Sequence, residues 1–232
     1  MYEDLVKQFN DKYTEEEKNL LFLYKSRIGV AINCLNEEED KVYEIYEYYK
    51  ENLKDPKNMF MSFTVFKDIS LTDFSSFKRR LQQAKENIEP LLSRLELISS
   101  MTVYRMVSVQ KGANNEFLSK QNIVSTSVDI NECLKFCIND DDNEHYLYQI
   151  NLEKGSKVAI CPYAVVTNYL TGQFNLTTKK DQKELILDKK NYEFSCSSER
   201  KIILADSTEI NFVTVNAQAK ETIKDFSRKF LD

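Results

Sequence analysis

Three polar residues, each at a strand-like segment, are the best candidates for chemistry in this chain. Arg105 interrupts an apolar segment, Ser125 begins a Ser-Thr-Ser run, and Glu184 leads into a Leu-Ile-Leu triplet. A guanidinium holds phosphate oxygens through paired hydrogen bonds, and a carboxylate stabilises developing positive charge. Taken one at a time, each is explained more simply as a surface residue of a strand. Their chemistry therefore depends on whether the fold brings them together.

Other groups of reactive residues do not have the spacing of a known metal or nucleotide site. Cys133, Cys137 and His145 fit no structural zinc pattern and lack a fourth ligand, so small buried thiols are the simpler interpretation. The acidic run at residues 139–145 resembles a calcium loop only in composition, because histidine stands where the sixth position needs glycine. The sequence contains no glycine-rich phosphate loop. We therefore expect no metal site, and side chains must hold any bound nucleotide.

The first hundred residues predict amphipathic helices. Thr14 and Glu17 form a capping box that starts one helix, and Gly29 is expected to divide that helical run. Pro56 is expected to end a second helix, and Pro90 to interrupt a third. Apolar residues recur at helical spacing within each segment. This part of the chain is therefore expected to form a helical layer.

From residue 101 the chain is rich in alternating β-branched and aromatic residues, which predict strands. The predicted strands cover residues 101–109, 122–127, 146–152, 157–160, 184–187, 192–196, 201–205 and 209–215. A short helix is expected at residues 131–137, and a C-terminal tail or helix at 219–232. We interpret residues 1–232 as a single α+β domain, with N-terminal helices (1–100) packed on a two-sheet β-core (101–218).

Composition limits the class of protein. Hydrophobic residues make up 42% and charged residues 30%, which is typical of a soluble globular chain. The net charge of −5 gives no basic footprint for nucleic acid, and five cysteines without a CxxC pair predict free thiols. The polar N-terminal segment predicts no secretory signal peptide. No apolar run reaches the roughly 18 residues of a membrane-spanning helix.

The order of the three polar residues resembles a known signature. Arg, then Ser-Thr-Ser, then Glu preceded at minus two by Gln is similar to the Arg–Ser–Glu pattern of bacterial mono-ADP-ribosyltransferase toxins. These include the Rho-modifying exoenzymes and the catalytic domain of actin-modifying binary toxins. Tyr24 and Asn33 resemble the family's helical Tyr…Ile-Asn element, and residues 153–164 resemble its Gly-Ser-Lys strand. The resemblance extends over nearly the whole chain and implies the ADP-ribosyltransferase fold, with NAD as substrate.

The resemblance also implies a role for each matched residue. Glu184 would stabilise an oxocarbenium-like ribose when the nicotinamide bond breaks, and Ser125 would orient Glu184 and the ribose. Arg105 would hold the NAD phosphates. Gln182 would face the incoming acceptor. Further NAD contacts are implied for Tyr24, Asn33, Gln110, Asn122 and Phe136.

Glutamine at position 182 indicates, by the same resemblance, which type of acceptor is modified. In the family, Gln there accompanies acceptors other than arginine, such as an asparagine of a Rho-type GTPase. The implied activity is NAD-dependent mono-ADP-ribosyl transfer to a protein side chain, with NAD glycohydrolysis as a side activity. Two alternatives stay open: guanine in nucleic acid as the acceptor, against which the net charge argues, and a non-catalytic NAD-binding domain. The resemblance implies a secreted toxin or effector acting in a host cytosol, and a cytoplasmic enzyme is the alternative.

Two positions depart from the family pattern. The loop after the serine motif usually carries an Arg, where this chain has Asn139, and Lys135 is the nearby basic substitute. The aromatic residue expected shortly before Gln-x-Glu is replaced by polar residues, with Tyr169 or Phe174 as the nearest aromatic side chains. Both departures concern the recognition of the substrate.

Overall fold

The computed structural model of the chain describes residues 2–24, 27–35, 38–52, 73–113, 115, 123–137, 142–162, 164–168, 173–177 and 183–220. Several predictions concern positions outside this set, namely the end of a helix at Pro56 and the C-terminal helix after residue 220. Asn122, Asn139, Tyr169 and Gln182 also lie outside it. Phe174 lies within a described strand, but its side chain is not described.

The N-terminal part is helical, as predicted. Its helices are α1 (Tyr2–Lys12), α2 (Glu15–Tyr24), α3 (Arg27–Cys34), α4 (Glu39–Asn52) and α5 (Phe74–Ile88), followed by a 3-10 turn at Glu89–Leu91. The capping box is confirmed, because the Glu17 amide donates to Thr14 Oγ1 (3.3 Å) and the Thr14 amide donates to Glu17 Oε2 (2.9 Å). The 3-10 turn contains Pro90, so the predicted interruption is also confirmed.

Gly29 does not divide the helical run in the way that the sequence predicted. The break lies earlier, between the end of α2 at Tyr24 and the start of α3 at Arg27, and Gly29 is inside α3. A Cβ atom at Gly29 would lie 1.8 Å from the Tyr24 carbonyl oxygen. Glycine is therefore needed here because α3 approaches the last residue of α2 more closely than any side chain allows.

The C-terminal part is mainly β-structure. Its strands are β1 (Leu95–Glu96), β2 (Met101–Gln110), β3 (Ile123–Ser127), β4 (Asn143–Leu152), β5 (Lys157–Cys161), β6 (Ala164–Asn168), β7 (Gln173–Thr177), β8 (Glu184–Asp188), β9 (Tyr192–Ile203) and β10 (Glu209–Ala219). A short helix, α6 (Ile130–Leu134), follows β3 as predicted. Strands β1, β6 and β7 were not predicted. β1 has two residues, and among the described strands β6 pairs only with β7.

The two strands predicted at residues 192–196 and 201–205 are wrong, because β9 is continuous through both. It pairs antiparallel with β10 along its whole length, with a register shift between Thr214 and Val215. The polar stretch at 195–200 is exposed at the sheet edge. A strand at an edge does not need to bury this stretch, so alternating hydrophobicity is lost without loss of pairing.

Eight strands form one mixed sheet in the order β1-β5-β8-β3-β2-β4-β10-β9, in which only β4 and β10 pair in parallel. Its two four-stranded halves meet where β2 pairs with β3, at Tyr104 and Ser127. The α+β class is confirmed, and the described strands form this eight-stranded sheet and a separate two-stranded sheet of β6 and β7.

The two halves are buried differently. Leu185, Ile186 and Leu187 in β8 are fully buried, and α1 and α2 pack on the neighbouring strand β5. In the other half, Val103 of β2 belongs to the same large hydrophobic cluster as Leu185, Ile186 and Leu187. Met106 of β2 belongs instead to a smaller cluster that includes Cys133 of α6. The site described below lies where the helices, β3, β8 and β2 meet.

Gly29 provides a test of the close approach of α2 and α3. In Gly29→Ala, the added methyl group collides with a backbone oxygen, so α2 and α3 must separate. We expect the free energy of unfolding to fall by about 1–3 kcal/mol, measured by urea denaturation. Val30→Ala, at an exposed position in the same helix, is the control. Equal stability of the two variants would contradict the close approach.

Candidate functional site

Ser125 and Glu184 are 59 residues apart in sequence but bonded in the structure. Strands β3 and β8 are antiparallel neighbours, and Ser127 is paired with Glu184. Because side chains alternate along a strand, Ser125 lies on the same face as Ser127, diagonal to Glu184. The Ser125 hydroxyl donates a hydrogen bond to Glu184 Oε1. Glu184 is only 7% exposed, so its carboxylate is held by this contact in a largely dehydrated place.

The backbone around Glu184 is fixed on both sides. Glu184 pairs with Cys161 of β5 as well as with Ser127. Beyond the last β3–β8 pair, the Val128 amide donates to the Lys183 carbonyl at 3.0 Å. On β3 the Thr126 hydroxyl donates to the carbonyl of Leu185 at 3.0 Å. The Glu184 side chain therefore extends from a strand that is paired on both sides.

Tyr24 and Asn33 attach the helices to this strand pair. The Tyr24 hydroxyl donates to the carbonyl of Ile123 at 3.1 Å. Asn33 Nδ2 donates to the Tyr24 oxygen (2.9 Å) and to the same carbonyl (3.3 Å). A carbonyl oxygen only accepts hydrogen bonds, so this network fixes the orientation of the Asn33 amide. Asn33 Oδ1 is buried without a hydrogen-bond partner among the described residues.

Electrostatics connect this helical network with Arg105 and Glu184. Burial strongly raises the pKa of Tyr24, and its hydrogen bond from Asn33 lowers it. The charge of Arg105 also lowers the Tyr24 pKa, whereas the charge of Glu184 raises it. The phenol therefore lies within electrostatic reach of both groups. The sequence elements that carry Tyr24, Asn33, Arg105 and Glu184 meet at one place.

Arg105 lies on β2, opposite Tyr148 of β4, on the same face as the buried Val103. Its side chain is half-buried, and Nε is buried without a hydrogen-bond partner among the described residues. A buried donor without an acceptor is costly. The guanidinium is therefore suited to an acceptor that a ligand supplies.

Three other predicted residues lie outside the hydrogen-bonded cluster. Gln110 is exposed at the end of β2, five residues from Arg105. Phe136 is 63% exposed just after α6, which packs on β2 and β3. Lys135, the basic substitute for the missing loop Arg, pairs with Glu132 at 2.5 Å. An exposed surface pair of this kind is weak, so Lys135 remains available to an anion only by giving up this partner.

The residues considered for metal binding have other contacts. Ser108 Oγ and Nδ1 of the buried His145 are 2.8 Å apart, and the Cys133 thiol donates to the carbonyl of Tyr104 at 3.1 Å. Within the described ranges, His, Cys, Asp and Glu nowhere form a group of three that could hold a metal ion. All five cysteines are free thiols, as predicted. No described helix is both long and apolar enough to span a membrane.

Several contacts of the site had no signal in the sequence. The carbonyl of Ile123 anchors Tyr24 and Asn33, yet any residue type could supply it. Tyr148 was assigned to a strand, but its place opposite Arg105 depends on the β2–β4 register. Lys183, which precedes Glu184, has a φ of 49°, and a lysine in the sequence does not predict a positive φ. These contacts arise from tertiary structure.

No protein-family model matches the sequence, and neither does any curated protein. Solved structures match it at low sequence identity. Plx2a, an ADP-ribosyltransferase toxin from Paenibacillus larvae, gives a TM-score of 0.52 at 14% identity, covering 94% of this chain and 92% of that chain. BECa, an ADP-ribosylating toxin of a binary enterotoxin of C. perfringens solved with NADH, gives 0.53 at 14% identity, covering 93% and 46%. The chain therefore has the fold of bacterial ADP-ribosyltransferase toxins.

Proposed function

We propose that this chain is an NAD-dependent mono-ADP-ribosyltransferase that modifies a protein side chain other than arginine. The observation that carries the proposal is the hydrogen bond between Ser125 and the buried Glu184, beside Tyr24 and within reach of Arg105. The fold is that of toxins with this activity. Because BECa was solved with NADH, a nicotinamide dinucleotide is the natural candidate for the donor.

The proposed chemistry requires a fixed carboxylate. When the bond between nicotinamide and the ribose C1′ breaks, its electron pair leaves with nicotinamide and positive charge develops on the ribose. Glu184 stabilises that charge from a position that Ser125 and strand β8 fix in advance. In a water-poor site such stabilisation is stronger than in solution. The acceptor nucleophile then attacks C1′, or water does so in glycohydrolysis.

Arg105 supplies the proposed phosphate contact. The guanidinium geometry suits paired hydrogen bonds to phosphate oxygens. Its Nε has no acceptor among the described residues, which supports a ligand as its missing partner. Tyr24 and Asn33 are proposed to line the NAD site from its helical side. Phe136, an exposed ring next to α6, is proposed to stack on the nicotinamide.

The type of acceptor is inferred from Gln182. Gln182 directly precedes Lys183 and Glu184, and by resemblance it faces the acceptor, with an asparagine of a Rho-like GTPase as the leading candidate. A guanine base is the second candidate, but a net charge of −5 opposes binding to a phosphate backbone. As a toxin or effector, the protein would carry out this transfer in a host cytosol.

Replacing Glu184 tests the mechanism. Glu184→Gln keeps the shape and the acceptor for Ser125 but removes the charge, so NAD hydrolysis should fall by at least about 100-fold in kcat. Asp188→Asn is a matched control, because Asp188 is also a buried carboxylate in β8. It should leave kcat within about threefold. Equal losses in both variants, or full activity of Glu184→Gln, would reject the role of Glu184.

Replacing Arg105 tests phosphate binding. Arg105→Lys keeps a positive charge but loses the planar fork, so the KM for NAD should rise roughly tenfold, with a smaller change in kcat. Arg94→Lys is the control, since Arg94 pairs with Glu17 in the helical part. Its KM for NAD should match that of the parent protein. An unchanged KM in Arg105→Lys would remove Arg105 from the NAD site.

Replacing Gln182 separates transfer from NAD cleavage. Gln182→Ala should retain glycohydrolysis within about threefold while transfer to an acceptor falls by about tenfold or more, because only the second step needs acceptor contacts. Labelled NAD is offered with a purified Rho-type GTPase, with actin and with a DNA oligonucleotide. Equal loss of hydrolysis and transfer would make Gln182 a structural or NAD-binding residue. NAD binding without turnover on any acceptor would favour the non-catalytic alternative.

A further inference from the structure

The backbone at Lys183 has a conformation that side chains disfavour. Its φ is 49°, and among the described residues other than glycine only Ser207 shares a positive φ. A residue with a Cβ atom is strained in this left-handed region. Such conformations persist where the surrounding structure enforces them, and they are concentrated at functional sites. Lys183 separates the proposed acceptor residue, Gln182, from the proposed catalytic residue, Glu184.

A hydrogen bond holds this strained residue in place. The Val128 amide donates to the carbonyl of Lys183 at 3.0 Å, immediately past the Ser127–Glu184 pair. This hydrogen bond therefore comes from the residue that directly follows β3, the strand that carries Ser125. The regular pairing of β8 begins only after Lys183.

We propose that Lys183 is a positioning residue for the transfer reaction. The φ of Lys183 sets the direction in which the chain enters β8, and the hydrogen bond from Val128 fixes where β8 begins and hence where Glu184 meets Ser125. The catalytic meaning of this inference rests on the proposed function, but its structural meaning does not.

The test compares two uncharged replacements that differ in backbone preference. Asparagine accepts the left-handed conformation, whereas β-branched valine strongly resists it. Lys183→Asn should keep kcat for NAD hydrolysis within about threefold, and Lys183→Val should lower it about tenfold or more. The KM for NAD should stay within about twofold in both, because Arg105 is untouched. Transfer to the acceptor should fall at least as far as hydrolysis in Lys183→Val.

Ser207 offers an internal control for strain as such. It has a φ of 70° in the turn between β9 and β10, at the sheet edge away from β8. Ser207→Val should lower the melting temperature as Lys183→Val does, while its kcat stays at the parent value. If Lys183→Val does not fold, Lys183→Ala carries a single Cβ methyl and should show a smaller loss of kcat in the same direction.

A spectroscopic measurement separates this inference from the proposed function. The carboxyl carbon resonance of Glu184, assigned by its loss in Glu184→Gln, reports the contact with Ser125. It should shift in Lys183→Val and not in Lys183→Asn, whether or not the protein turns over NAD. An unshifted resonance in Lys183→Val, or equal loss of turnover in Lys183→Asn, would overturn the positioning role. Absence of turnover in the parent protein would count against the proposed function alone.

Discussion

The hydrogen bond from Ser125 to Glu184 is the contact on which the site depends. A carboxylate that is 7% exposed is costly unless a partner compensates for lost water. The pairing of β3 with β8 delivers that partner, and β5 closes the other side of the strand. The register of β3, β8 and β5 thus determines whether the Glu184 carboxylate meets the Ser125 hydroxyl. A shift of one residue would turn its side chain to the other face.

The helical part supports this strand pair directly. Tyr24 and Asn33 bond to the first residue of β3, and Gly29 lets their two helices approach one another. Arg105 comes from the other half of the sheet, across the junction where Tyr104 of β2 pairs with Ser127 of β3. The candidate site is therefore assembled from three regions of the chain, which explains how residues far apart in sequence lie close together.

The sequence predicted the parts whose signal is local. Thr14 and Glu17 cap a helix by their own side chains, and Arg105 is conspicuous in an apolar strand. It did not predict the continuity of β9, because an exposed edge strand needs no alternating pattern. Nor did it predict the strain at Lys183, since the backbone there is held by the Val128 amide, which follows β3 and is distant in sequence. The predicted roles of Asn122 and Gln182 rest on resemblance alone.

The proposed activity is the transfer of ADP-ribose from NAD to a protein side chain. The most direct measurement is mass spectrometry of modified peptides after the protein and NAD are incubated with a eukaryotic cell lysate. We expect ADP-ribose on a defined set of residues other than arginine, and none when Glu184→Gln replaces the parent protein. Modified arginines, or the same modified peptides with Glu184→Gln, would contradict it.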